Sequence, residues 1–208
     1  MNLREKQHED TRKAILDALG GQIAESGAMG FSIQDVADRA GVTHRTVYNY
    51  FPTREALNDA FALHVEEESL APIFGVRPDE GMRLAQLPSV AGTYFRKIAD
   101  KAVYVRAYVM LMIASRSPAQ LTRERTKKFE QLMEDEAGPL PEGAARLATA
   151  AVRQFVSSVG WHVLTEHHGL SNEDAARTAE WAAKVLLEAV ANGDFPIPET
   201  TNESRHDD

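Results

Sequence analysis

Apolar residues recur along this chain at three- and four-residue spacing, and alternation of period two is scarce. The pattern predicts helices throughout. Ile15, Leu19 and Ile23 fall at i, i+4 and i+8, one buried stripe on a first helix that Gly27 stops. "ESGAMGF" reads as a loop. Ser32 with Asp35 three residues on reads as a capping box opening a short helix, "IQDVADRA", closed at Gly41. Thr43 caps the next helix, "HRTVYNY", and Pro52 ends it. Thr53 then caps a helix from Arg54 to about Leu70.

Residues 72–88 are punctuated by Pro72, Gly75, Pro78, Gly81 and Pro88, and mark a boundary between a small head and a larger body. Beyond it a helix is expected from about Ser89 to Asp100. "KAVYVRAYVMLMIAS" is apolar almost all round and reads as a central buried helix. Another helix starts at Ser117-Pro118 and ends near Ala137-Gly138. A long one is expected from Glu142 to His168, and a last one between Ser171 and Gly193. The expected organisation is all-α: a head over residues 1–71, a body over 72–195, and a disordered tail over 196–208.

Composition narrows the chemistry. The longest unbroken apolar run, Tyr108 to Ala114, is far too short to span a membrane, and the polar start does not resemble a signal peptide. The chain has no cysteine, which excludes thiolate chemistry and fits a reducing cytoplasm. H-E-x-x-H, G-x-S-x-G and P-loop motifs are absent, so no catalytic residue, metal or cofactor is expected. His162 and Glu166 form an i, i+4 pair, read as a polar helix end rather than a metal site.

Net charge is −8, which argues against general nucleic-acid affinity, but the charge is uneven. Residues 1–54 hold seven basic and seven acidic side chains, so the excess acid lies in the body. Within the head, two short helices joined by "AGVT" make a helix-turn-helix. Val47, Tyr50 and Phe51 lie at i, i+3 and i+4 and face inward. His44, Arg45, Tyr48 and Asn49 lie on the opposite face, where they offer the hydrogen bonds and stacking that a DNA groove uses. Arg45 can fork onto guanine, and Thr46 can meet a thymine methyl or a phosphate. Arg54, at a helix N-terminus, is placed to attract a phosphate.

The stretch "FSIQDVADRAGVTHRTVYNYFPTREAL" resembles the head of the Tet repressor family of bacterial transcriptional regulators. The resemblance runs through Phe31–Ser32–Ile33, Val36–Ala37, Ala40–Gly41–Val42, Thr46–Val47–Tyr48, Tyr50–Phe51, and Arg54, Glu55 and Leu57. It covers roughly the first 65 residues. It implies a homodimeric repressor that places two recognition helices on a palindromic double-stranded operator and is released by a small molecule bound in the body. By the same resemblance, His44, Arg45 and Thr46 would face bases. Thr43, Tyr48, Asn49, Tyr50 and Arg54 would hold the DNA backbone, with Ser32 and Gln34 as further phosphate contacts. It turns an aromatic and Met-rich stripe of the body into a candidate effector pocket, lined by Tyr94, Tyr104, Tyr108, Met112, Phe129, Met133, Phe155 and Trp161. Such walls suit an apolar or aromatic ligand. Arg106, a lone charge in the buried helix, either snorkels to the surface or meets an acidic effector group. The last two helices are expected to form the dimer. Ala175, Ala179, Ala182, Leu186 and Ala189 line one side of the final helix, and Trp181 and Val185 begin another. The competing reading is a helical ligand-binding protein or enzyme whose head no longer binds DNA.

Overall fold

The computed structural model describes residues 2–66, 82–114 and 120–197. Among them there is no strand, as the helical spacing requires. The head is built from α1 (Leu3–Ser26), α2 (Ile33–Ala40), α3 (His44–Tyr50) and α4 (Arg54–Val65). The body holds α5 (Leu87–Ile98), α6 (Ala102–Ala114), α7 (Gln120–Glu136), α8 (Ala144–Phe155), α9 (Ser158–His162) and α10 (Asn172–Ala191).

The stripe on α1 is buried: Ile15, Leu19 and Ile23 are fully enclosed with Val36, Val47, Leu57 and Phe61. Burying a side chain of this size is worth about 1.5–3 kcal/mol, so these residues set the mutual angles of the four head helices. α1 packs on α2 and α4, and both α1 and α4 reach α6 of the body. At that junction a Cβ on Gly20 would stand 2.9 Å from the Phe61 ring and 3.1 Å from the Tyr104 ring. The missing side chain lets α1, α4 and α6 approach closely. In the body, α5 lies along α10, while α8 packs on both α7 and α10. Arg96 of α5 clamps α10 by bonding Glu173 and Glu180, each at 2.8 Å.

Several boundaries differ from expectation for local reasons. α5 begins at Leu87 rather than Ser89, because Pro88 in the first turn has no N–H to lose to the helix ladder. The predicted long helix from Glu142 to His168 is broken. α8 ends at Phe155, Ser157 turns extended, and its hydroxyl caps α9 at the Gly160 N–H, 3.2 Å away. A π-helical turn, Val163–His167, follows. The end of the helix expected to reach Leu70, the punctuated 72–81 stretch, the Ser117-Pro118 start and most of the 196–208 tail lie outside the described residues.

The face of α10 expected at a dimer seam is turned inward. Ala175 and Ala179 are fully buried and Ala182 nearly so, within the chain's own core. Small residues there let α5 pack closely. The outward apolar pair is Trp181, 67% exposed, and Val185, 43% exposed. Among the described residues, no helix is long and apolar enough to cross a membrane.

Candidate nucleic-acid interface

Local capping builds the helix-turn-helix. The Ser32 hydroxyl accepts from the Asp35 N–H at 3.1 Å, and the Asp35 carboxylate accepts from the Ser32 N–H at 3.0 Å. The Ser32 hydroxyl also donates to the Asp35 carboxylate at 2.6 Å, and that bond first, with the Ser32 N–H second, holds the carboxyl below its ordinary pKa of 3.8. Gly41 closes α2 at φ 68°, a left-handed turn that a side chain would strain. The chain then returns as Val42 N–H donates to the Ala37 carbonyl at 3.0 Å. Thr43 starts α3 by accepting from the Thr46 N–H at 3.1 Å.

Val47, buried to 1% exposure, roots α3 in the head. His44, Arg45, Tyr48 and Asn49 are exposed together on the opposite side. The His44 and Tyr48 rings lean on one another, centroids 4.8 Å apart. Arg45 makes no ion pair among the described residues, so its guanidinium fork remains available. Thr46 is half-buried and its hydroxyl lies 2.8 Å from that of Thr43. Ser32 and Gln34 are exposed at the start of α2, with the Gln34 amide donating to Asp38 at 2.7 Å.

Two residues expected at the DNA backbone also make contacts within the head. Arg54 is committed to the head itself. Its guanidinium donates to the carbonyls of Phe31 at 3.1 Å and Ala28 at 3.3 Å, and it stacks 3.8 Å above the Phe31 ring. It ties the loop before α2 to the start of α4, a structural role that the sequence reading did not foresee. Tyr50 is half-buried, with its ring 4.5 Å from that of His8 on α1. Its ring therefore braces two helices.

Most of the residues expected around an effector lie in or against the chain's hydrophobic core. Tyr94, Tyr108, Phe129, Met133 and Trp161 are buried, and Met112 and Phe155 are half-buried. Tyr104 instead seals the junction of α1, α4 and α6, where burial and then Asp17 push its hydroxyl pKa up. Arg106 pairs with Glu166 at 2.7 Å and lies 5.9 Å from the Trp161 ring, with its side chain 40% exposed. The Trp161 indole N–H donates to Asn172 at 3.1 Å. Arg153 lies 5.7 Å from the Phe129 ring and donates to Thr126. Sequence reasoning missed Glu66, buried to 4% exposure and taking a 2.5 Å hydrogen bond from Tyr108. A carboxylate just past the last turn of α4 has no signal of burial without its partner. His162 is also buried, and burial, rather than Glu166, governs its pKa, which is lowered. Among the described residues no group of three or more His, Asp or Glu side chains is placed to hold a metal.

The head geometry has clear counterparts. Residues 15–61 match the family model of bacterial regulatory proteins, tetR family. The head of the chain, over residues 15–61, is of the tetR-family type. A 75-residue stretch is 41% identical to the HTH-type transcriptional repressor LfrR of Mycolicibacterium smegmatis. That stretch spans 35% of this chain and 38% of the repressor's length. The solved structure of a putative TetR-family regulator from Rhodococcus sp. superposes with a TM-score of 0.68 at 19% identity, covering 85% of this chain and 98% of that one. A second, from Syntrophomonas wolfei, gives 0.66 at 13% identity, covering 87% and 96%. At those identities the likeness extends the fold over the body and leaves its chemistry open. The matched head is thus a helix-turn-helix of the kind found in bacterial regulatory proteins of the tetR family.

Proposed function

We propose that this chain is a tetR-family transcription regulator, a cytoplasmic homodimeric repressor that holds a palindromic operator until a small molecule binds in the body. The observation that carries the reading is the exposed face of α3, with His44, Arg45, Tyr48 and Asn49 side by side on a helix rooted by Val47. Arg45 reads a guanine through its free fork, and Tyr48 and Asn49 hold the flanking backbone. Thr43, Thr46, Ser32 and Gln34 add hydroxyl and amide contacts at the two helix starts. Trp181 and Val185 supply the outward apolar face of α10 for the second copy, which fits a symmetric interface. Buried Tyr94, Tyr108, Met133 and Trp161 supply the wall that an apolar or aromatic effector would displace.

α4 links the two functions, since it starts next to α3 and its far end packs on α6. A ligand against Tyr108 acts on that end through Glu66. It shifts the head spacing only by its differential affinity for the two states, typically about 1–3 kcal/mol. The test is footprinting on a duplex enriched from a random library. Two protected half-sites with centres roughly 34–36 Å apart, or a multiple of that, are expected. One asymmetric half-site bound by a single chain contradicts the reading.

A further inference from the structure

α1 begins well before the family match does. The match opens at Ile15, whereas α1 starts at Leu3. Residues 3–14 add roughly 18 Å of helix at 1.5 Å per residue. Such a short polar segment is marginal as a helix on its own, so its order needs a local cause. One is a capping box: the Asn2 N–H donates to Glu5 at 2.8 Å and the Glu5 N–H to the Asn2 side chain at 2.9 Å. The other is contact with the recognition helix. The His8 ring lies on Tyr50, and the Arg12 guanidinium stands 5.8 Å from the Phe51 ring.

Arg4, His8 and Arg12 fall at i, i+4 and i+8, on the face that further along carries Ile15 and Leu19. Where the core ends, that face continues as cationic and aromatic side chains. Arg12 is partly neutralised by Glu9 at 3.7 Å. Arg4 is exposed and makes no ion pair among the described residues. It stands about 6 Å beyond His8 along the helix axis, one turn past the contact with Tyr50. A helix inserted in a major groove is flanked on both sides by phosphate backbone. α1 meets α3 at the C-terminal end of that helix, through Tyr50 and its cap Phe51, beside the exposed Tyr48 and Asn49.

We propose that the first turns of α1 form a second phosphate contact outside the helix-turn-helix: Arg4 takes a backbone phosphate flanking the groove that α3 enters. His8 and Arg12 act as positioning residues that hold this turn against Tyr50 and Phe51. The proposal rests on the DNA-binding reading of the head and adds a contact that carries no base information.

The experiment uses the full chain and the duplex that the wild type enriches from a random library, with binding measured across a salt series. Each phosphate contact contributes about 0.9 to the slope of log K against log salt. Arg4→Ala should make the slope shallower by about that amount per subunit while leaving base preference unchanged. Arg4→Lys should restore it. Lys13→Ala, on the opposite face of α1, should keep the wild-type slope. His8→Ala should lose part of the same contribution, and the Arg4→Ala/His8→Ala pair should be no weaker than Arg4→Ala alone, because both act on one contact. A wild-type slope in Arg4→Ala, with Arg45→Ala still weakening binding, overturns the proposal and leaves the DNA-binding reading standing. Failure to enrich any duplex, or an Arg45→Ala variant that binds as the wild type does, overturns both.

Discussion

Replacing Arg54 separates a structural role from a DNA contact. In the folded head its guanidinium holds the Phe31 and Ala28 carbonyls and stacks on the Phe31 ring. The Phe31 bond is half-buried and is worth about 1.5 kcal/mol. The Ala28 bond is longer and exposed, adding roughly 0.5 kcal/mol. Stacking on the ring contributes another 0.5 kcal/mol or so. Arg54→Ala should then cost about 2–3 kcal/mol in the absence of any DNA, and a chain of this length should lose roughly 5–10 °C in Tm. Arg54→Lys should recover part of that loss, because an ammonium reaches a carbonyl without the planar fork that serves two and stacks. The assay is thermal unfolding followed by circular dichroism, alongside DNA affinity measured well below the transition. An unchanged Tm in Arg54→Ala with lowered affinity for every duplex would refute the reasoning and return Arg54 to the phosphate.

Three other outcomes follow from the same structure. Gly160→Ala would place a Cβ 2.0 Å from the Gln154 carbonyl oxygen; backbone cannot yield as a flexible side chain does, so a loss of about 2–3 kcal/mol is expected in denaturant unfolding. Glu173, held by Arg96 and then Arg177, has its pKa drawn down from 4.5 to about 2. Its stabilisation is complete above pH 4.5 and is lost as pH falls toward 2, so Glu173→Gln should flatten the acid limb of the stability profile in that window, and an unaltered limb would contradict the assignment. Trp181→Glu should yield monomers in sedimentation at a concentration where the wild type is dimeric, whereas a dimer unaffected by that charge would place the interface elsewhere.

The head was legible because its signals are local. Ser32, Thr43, Thr53 and Ser171 all cap the helices their sequence context predicts, each through a bond to the N–H three residues on. Gly41 takes the one backbone conformation that the "AGVT" turn requires. What escaped depends on distant partners. Arg54 meets carbonyls 23 and 26 residues away, and nothing near it in sequence names them. The break at Ser157 comes just past an Ala-rich run with good helix periodicity, where Ser157 and Ser158 do not say which hydroxyl will start a new helix. α10 has two apolar sides, and only the position of α5 decides that the alanines meet the chain's own core while Trp181 stays outside. Apolar character places Tyr94, Tyr108, Phe129, Met133 and Trp161 in the core but does not name what each packs against. Tyr104 and Arg106 sit two residues apart on α6, yet one turns toward α1 and α4 and the other toward Glu166.

The central claim is that α3 reads bases through Arg45. The most direct measurement compares wild type and Arg45→Ala on the enriched duplex and on a scrambled duplex of the same length and salt. The account predicts a loss of about 1–3 kcal/mol per half-site on the enriched duplex, little change on the scrambled one, and relaxed preference at the base pair that Arg45 faces. An equal loss on both duplexes would make Arg45 a phosphate contact and contradict the claim.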